Sequence, residues 1–249
     1  MNSLSETLHA EDFTEESLAS DKSKLSVKDA LECDGKNGCT YEVADQLHCS
    51  PNSKVYLVNM RTSPTSAVSS KEAEVVQSAI KLVNGGLFTY LLDREYRILN
   101  TLNHPNIIKP LRYQYSCNSE GKASSVLAVP YYKRGDLFEA VKSKDGLGET
   151  KSLKYFKQIA SALEYVHEAN IAHRDIKLEN MVIDDDSNAK LIDFGFAYTS
   201  EIGSEKDIQS QIFEECAESQ VEGTMGYMAP ELLQACHENN QANSVFSEK

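Results

Sequence analysis

Four polar residues set the chemistry this chain can do. Asp175, Lys177 and Asn180 fall within six consecutive residues, and Asp193 follows thirteen residues after Asn180. A carboxylate, an ammonium and an amide packed this closely, with a second carboxylate soon after, can hold one base and two metal-ligand positions around a triphosphate. The first three lie in Ile171-Ala-His-Arg-Asp-Ile-Lys-Leu-Glu-Asn180, and Asp193 opens Asp-Phe-Gly195.

The rest of the chain must position these groups. Its 249 residues are 41% hydrophobic, enough for a real core in one or two domains. A formal net charge of −13 argues against a nucleic-acid surface, because phosphate binding needs clustered Lys and Arg. No polybasic stretch points to a membrane surface, and no apolar run approaches the length of a bilayer span. The six cysteines, Cys33, Cys39, Cys49, Cys117, Cys216 and Cys236, form no C-x-x-C pair and read as scattered reduced thiols. With a polar N-terminus, these features predict a cytoplasmic protein, or a nuclear one.

Along the chain, residues 1–40 are rich in Ser, Glu, Asp and Lys and predict a disordered acidic tail. From Tyr41 the pattern changes to short β-branched and aromatic runs. These predict strands over Tyr41–Leu47, Lys54–Met60, Val75–Val83, Arg112–Cys117 and Ser125–Val129. Leu91, Glu95 and Leu99 share a helical face, and that helix ends before His104-Pro105. After Pro130 the period is helical. Asp136 can cap a short helix over Leu137–Lys142, and Leu153, Phe156, Ala160, Leu163 and His167 mark the apolar stripe of a longer one. The expected organisation is an N-terminal lobe over 41–129 and a helical lobe over 130–249. The residues from Val129 to Gly135 link the two across a cleft where a ligand can sit.

Arrangement and motifs together resemble the eukaryotic protein kinase family, from about Tyr41 to Glu231. His173-Arg174-Asp175 with Asn180, then Asp193-Phe194-Gly195, then Ala229-Pro230-Glu231, stand in the family's order and near its spacing. The resemblance implies an α+β fold with two lobes, the small one an antiparallel sheet with one main helix. The large one is mostly helical and, because the family continues well past Ala-Pro-Glu, incomplete within these residues, as in a fragment of a longer reading frame. It implies ATP and Mg2+ as cofactors, with Asp175 orienting the substrate hydroxyl and accepting its proton, and Lys177 facing the γ-phosphate. Asn180 and Asp193 match the two magnesium ligands. Ala79-Ile80-Lys81 resembles the strand lysine that pairs the α- and β-phosphates, and Glu95, nine residues before His104, matches its helix partner. In the same register Val55, Ala79 and Val182 would sandwich the adenine. Pro130 would offer a carbonyl and Tyr132 an N–H to its edge, Val129 would close the back, and Asp136 would reach the ribose.

Lys177 and the Gly223-Thr-Met-Gly-Tyr-Met-Ala-Pro-Glu231 run resemble the serine/threonine branch, so the implied partner is a protein with a Ser or Thr acceptor. Thr224 is expected to touch the catalytic Asp and Lys. The segment from Thr199 to Glu222 holds seven acids against Lys206, and Arg174 could clamp a phosphate there, on Thr199, Ser200, Ser204, Ser210 or Ser219. The chain departs from the family in the loop over the phosphates. His48, Ser50 and Ser53 stand where three glycines are usual, which predicts an altered nucleotide grip with the serine hydroxyls as partial substitutes. Two readings remain: a serine/threonine protein kinase, or a kinase-like nucleotide-binding or regulatory module.

Overall fold

The computed structural model describes residues 39–50, 53–62, 75–117, 121, 123–143, 146–199, 224–230 and 233–234. Five antiparallel strands come first in the described chain. They are β1 (Cys39–Cys49), β2 (Ser53–Thr62), β3 (Val75–Asn84), β4 (Arg112–Cys117) and β5 (Ala123–Pro130), in the sheet order β1-β2-β3-β5-β4. The predicted runs match these strands to within two residues at each end. Of the tail expected over 1–40, residues 1–38 lie outside the described residues, while Cys39 and Thr40 already belong to β1; most of the segment before Glu231, and Glu231 itself, also lie outside them.

Strand alternation decides what β3 can do. Ile80 and Leu82 point into a small buried cluster with Val58, Val126 and Ala128. Ala79 and Lys81, which alternate with them in sequence, therefore take the opposite face. Helix α1 (Gly86–Thr101) follows, entered through Gly85 at φ 99°. It buries Leu92, Glu95, Ile98 and Leu99, so the face predicted around Glu95 and Leu99 is the inward one, with Ile98 its most buried member and Leu91 half-buried. At its C-terminus the Lys109 ammonium donates to the carbonyls of Leu102 (2.9 Å) and Asn100 (3.3 Å), which the helix leaves without partners.

The residues after α1 tie the sheet to the second part of the chain. Ile108 N–H donates to Leu191 O and Leu191 N–H to Asn106 O, while the Asn106 amide reaches Ala189 O at 2.8 Å. His104 stacks on Tyr165 with ring centroids 5.4 Å apart, and the Tyr165 hydroxyl accepts from Asn103 N–H.

That second part begins with α2 (Leu137–Lys142), which the Asp136 carboxylate caps by accepting from Glu139 N–H at 2.8 Å, as predicted. Helix α3 (Glu149–Glu168) corrects the sequence reading. Its buried side is Tyr155, Ile159, Ala162 and Val166, whereas Leu153 is 49% and Phe156 71% exposed. Both stripes recur at helical spacing, so periodicity could not choose between them. The tertiary fold seats the second against the short strands β6 (Ile171–Ala172) and β8 (Ala189–Leu191). Strand β7 (Met181–Ile183) pairs with β8, and β9 (Tyr198–Thr199) with β6. One continuous core runs from Leu92, Ile98 and Leu99 of α1 through Leu127 to Ile159, Val166, Leu191 and Phe194. Each such side chain contributes about 1.5–3 kcal/mol on burial.

Candidate active site

Two small ladders build the site. Strands β6 and β7 bracket the run from His173 to Asn180, and β8 delivers the chain to Asp193. Ile192 N–H donates to Asn180 O, so the two functional stretches lie side by side. His173 is the internal strut, 2% exposed. Its Nε2 bonds Ile192 O at 3.1 Å, its Nδ1 accepts from Asp175 N–H at 3.3 Å, and its ring meets Phe194 edge-on at 4.6 Å. These bonds define the neutral Nε2–H tautomer, and burial pushes the His173 pKa down, against the pull of the Ile192 carbonyl and nearby Asp193 and Asp175. Arg174 and Asp193 hold positive φ, 64° and 58°, which non-glycine residues adopt only under tertiary constraint.

Asp175 is 3% exposed and surrounded by donors. Its Oδ1 accepts from Thr224 N–H (3.1 Å) and the Thr224 hydroxyl (2.7 Å). Its Oδ2 takes Lys177 Nζ and Asn180 Nδ2, both at 2.8 Å. Burial opposes ionisation, but the hydrogen bonds from Lys177, Thr224 and Asn180 outweigh it and hold the carboxyl below the usual range. Lys177 also donates to the Thr224 hydroxyl at 2.7 Å, so the expected three-way contact is present. Asn180 spends its amide nitrogen on Asp175, with a second bond to Asp175 O at 2.8 Å, so its Oδ1 is the end that can face a cation.

A second knot joins the sheet to Asp193. Lys81 Nζ lies 2.8 Å from Glu95 Oε2 and 3.2 Å from Asp193 Oδ1. Burial works to lower the lysine pKa, but the two carboxylates beside it drive it well up, so it stays charged. Burial raises that of Glu95, with Lys81 pulling the other way. For Asp193, burial again raises, but Lys81 prevails and holds it below the usual carboxylate range. Gly195 fits here because a Cβ at that position would stand 3.1 Å from Asp193 Oδ1 and 3.4 Å from Lys81 Nζ.

The remaining predicted residues sit on the edges of this arrangement. Val55 pairs with Lys81 across β2 and β3, and Ala79 pairs with Val129 of β5. Val182 bridges to Asp136, which gives one carboxylate oxygen to its helix cap. Val55, Ala79, Val129, Pro130, Tyr132, Asp136 and Val182 are all half-buried, the exposure of a lining rather than of a core. Tyr131 N–H donates to Gln77 O, which fixes the ladder's bonded pairs and turns the Pro130 carbonyl away from β3.

In the β1–β2 turn the serines behave differently from the expectation. Ser50 and Ser53 hydroxyls lie 3.0 Å apart and bond to each other instead of standing open. Of the candidate phosphate acceptors, Thr199 is 6% exposed inside β9, and the other four lie outside the described residues. Arg174 donates to Phe196 O at 2.6 Å and lies over the Tyr198 ring at 5.4 Å. Sequence reasoning passed over Asn106 and His173 as structural members of the site. Their only signal was their place in the His104-Pro-Asn106 and His173-Arg-Asp175 motifs.

Among the described residues no three His, Cys, Asp or Glu side chains gather around one point. The available donors, Asn180 and Asp193, suit a hard cation that takes one or two protein oxygens and completes its shell with phosphates and water. A buried carboxylate ringed by four donors and a lysine shared by two acids are thus the charged features of this site. The chain matches the family described as "Protein kinase domain" over residues 53–247 and belongs to it. It is 39% identical over 157 residues to testis-specific serine/threonine-protein kinase 2 of Mus musculus, covering 63% of this chain and 40% of that one. To CBL-interacting serine/threonine-protein kinase 12 of Arabidopsis thaliana it is 32% identical over 194 residues, 78% of this chain and 35% of the relative. The chain thus spans about a third to two fifths of the length of the curated relatives it matches.

Proposed function

We propose that this chain carries the catalytic centre of a serine/threonine protein kinase, which moves the γ-phosphate of ATP to a protein hydroxyl. The observation that carries this is the Asp175, Lys177 and Thr224 triangle, with the Lys81 to Asp193 ion pair close by along the chain's short ladders. The lobe limits of 41–129 and 130–249 go with this reading, as does a cytoplasmic or nuclear location, where ATP and hydroxyl-bearing proteins meet.

Asp175 orients the attacking hydroxyl and takes its proton as the oxygen bonds to the γ-phosphorus and the bond to the β-phosphate oxygen breaks. It is ionised for this work. Its four lone-pair positions are all engaged, so an incoming hydroxyl displaces the weakest donor, Thr224 N–H at 3.1 Å. Lys177 steadies the transferring group, and Lys81, held by Glu95, grips the α- and β-phosphates. Val55, Ala79 and Val182 enclose the adenine, the Pro130 carbonyl and Tyr132 N–H read its edge, and Asp136 reaches the ribose with its uncapped oxygen. Asn180 and Asp193 would hold magnesium, which when bound neutralises phosphate charge.

The test is γ-phosphate transfer to a generic basic protein, with Asp193→Ala alongside. Signal in the first and loss in the second supports the reading, and equal signal from both overturns it. The second reading, a nucleotide-binding or regulatory module, is favoured by the self-bonded Ser50 and Ser53. It predicts an ATP-dependent rise in melting temperature without transfer.

A further inference from the structure

Ser53 lies two residues from Val55, which pairs with Lys81, so on the nucleotide reading the Ser50 to Ser53 stretch is the part of the sheet that meets the phosphates. In that place a backbone N–H is useful because it can approach a phosphate oxygen closely. Here the Ser53 N–H is already taken, donating to Ser50 Oγ at 3.1 Å. The Ser50 hydroxyl in turn donates to Ser53 O at 3.1 Å and meets Ser53 Oγ at 3.0 Å, so its one donor and two acceptor positions are filled inside the turn. A backbone bond, Ser50 N–H to Ser53 O at 2.8 Å, closes the same ring. Neither serine is among the residues of positive φ, so Ser50 and Ser53 themselves hold ordinary backbone and meet through these bonds.

We infer that the Ser50 hydroxyl competes with nucleotide phosphate for the Ser53 N–H, and so sets the affinity of the site for ATP from within the protein. This rests on the nucleotide reading above. Phosphate must open the clasp to gain the amide, so part of its binding free energy is spent on breaking protein bonds. The opposite reading, in which both hydroxyls reach out to the phosphates in place of glycine, requires geometry that the filled Ser50 hydroxyl does not have.

The experiment compares wild type, Ser50→Ala and Ser53→Ala in two measurements. The first is the exchange rate of the Ser53 amide hydrogen without nucleotide, and the second is the dissociation constant for ATP by calorimetry in magnesium buffer. Ser50→Ala is expected to speed that exchange at least tenfold and to tighten ATP by about three- to tenfold, the worth of one net hydrogen bond. Ser53→Ala keeps the amide-to-hydroxyl bond and is expected to give less than half that gain. Weaker or equal ATP binding in Ser50→Ala overturns the inference, as does unchanged Ser53 exchange. If none of the three proteins binds ATP, the nucleotide reading falls and the competition with it, while faster exchange in Ser50→Ala would separately mark the clasp as real.

Discussion

Replacing Asp175 by Asn tests whether the buried carboxylate stabilises the fold or strains it. Active-site charges often cost stability, and a neutral isostere then raises the melting temperature. The geometry here argues the reverse. Asp175 is 3% exposed and receives four donors, two on each oxygen. An amide in its place must turn an NH2 toward one pair of them. On the Oδ2 side it would meet the Lys177 ammonium and the Asn180 amide, neither of which can accept. On the Oδ1 side the Thr224 hydroxyl can rotate to accept, and only the Thr224 N–H is stranded. The second arrangement is cheaper. It loses one bond to a charged acceptor, about 1.5–3 kcal/mol, and leaves Lys177 without its anion. A net loss of about 3 kcal/mol follows, roughly 6–12 °C in melting temperature for a chain of this size. Thermal unfolding of Asp175→Asn at neutral pH, with the transfer assay alongside, is the measurement. A melting temperature equal to or above that of wild type would refute the account of Asp175 as a satisfied charge.

Glu95→Gln should leave Lys81 attached to Asp193 alone. The two attractions differ only by the ratio of 3.2 to 2.8 Å, about 1.1, so the lysine stays anchored and stability falls by about 1 kcal/mol. The ATP efficiency of transfer should drop at least tenfold, and an unchanged efficiency would remove Glu95 from the site. Stability should also fall on acidification below pH 6.5, the ordinary histidine value, because burial depresses the pKa of both His173 and His104. The unfolded chain then binds protons that the folded one refuses, so the contribution is complete above that pH and is lost toward the lower folded values. Urea unfolding of wild type and His173→Gln at pH 7.5 and 5.5 checks this, the variant showing the smaller decline. On α3, Ile159→Ala should cost about 2–4 kcal/mol and Phe156→Gln within about 0.5 kcal/mol, and the reverse order would mean that the helix presents its other face.

The five long strands and three helices were legible because the strands and the two longer helices carry their own periodic signal and the shortest helix carries its Asp136 cap. The short ladders that aim the functional groups carry none. β6 and β9 have two residues each, β7 and β8 three, and they exist because the chain around them is already packed. On α3 the failure was of another kind: Leu153 and Phe156 are as apolar as Tyr155 and Ile159, and only the position of β6 and β8 decides between them. The site residues were readable as a set because Asp175, Lys177, Asn180, Asp193, Lys81 and Glu95 follow a known order. Their hydrogen bonds were not. That Thr224 would bond Asp175 with its backbone as well as its hydroxyl, or that Ser50 would bond to Ser53, depends on where two segments meet in space.

Asn180 shows how far that wiring constrains even a conservative change. As a metal ligand alone, it should tolerate Asp, which supplies a better oxygen for a hard cation. But its Nδ2 stands 2.8 Å from both Asp175 O and Asp175 Oδ2. In Asn180→Asp a carboxylate oxygen would face two acceptor oxygens at that distance, inside a region where Asn180 is 5% exposed. The two carboxylates cannot both ionise cheaply, so one holds its proton to a pH well above its normal range. The variant should lose about 2–4 kcal/mol at pH 7.5, when holding that proton is costly, and should recover part of it at pH 5.5, where the protonated acid again donates to Asp175. Chemical unfolding at the two pH values distinguishes the roles. Full wild-type stability at pH 7.5 would mean that the bonds to Asp175 carry no weight and that Asn180 serves only the cation.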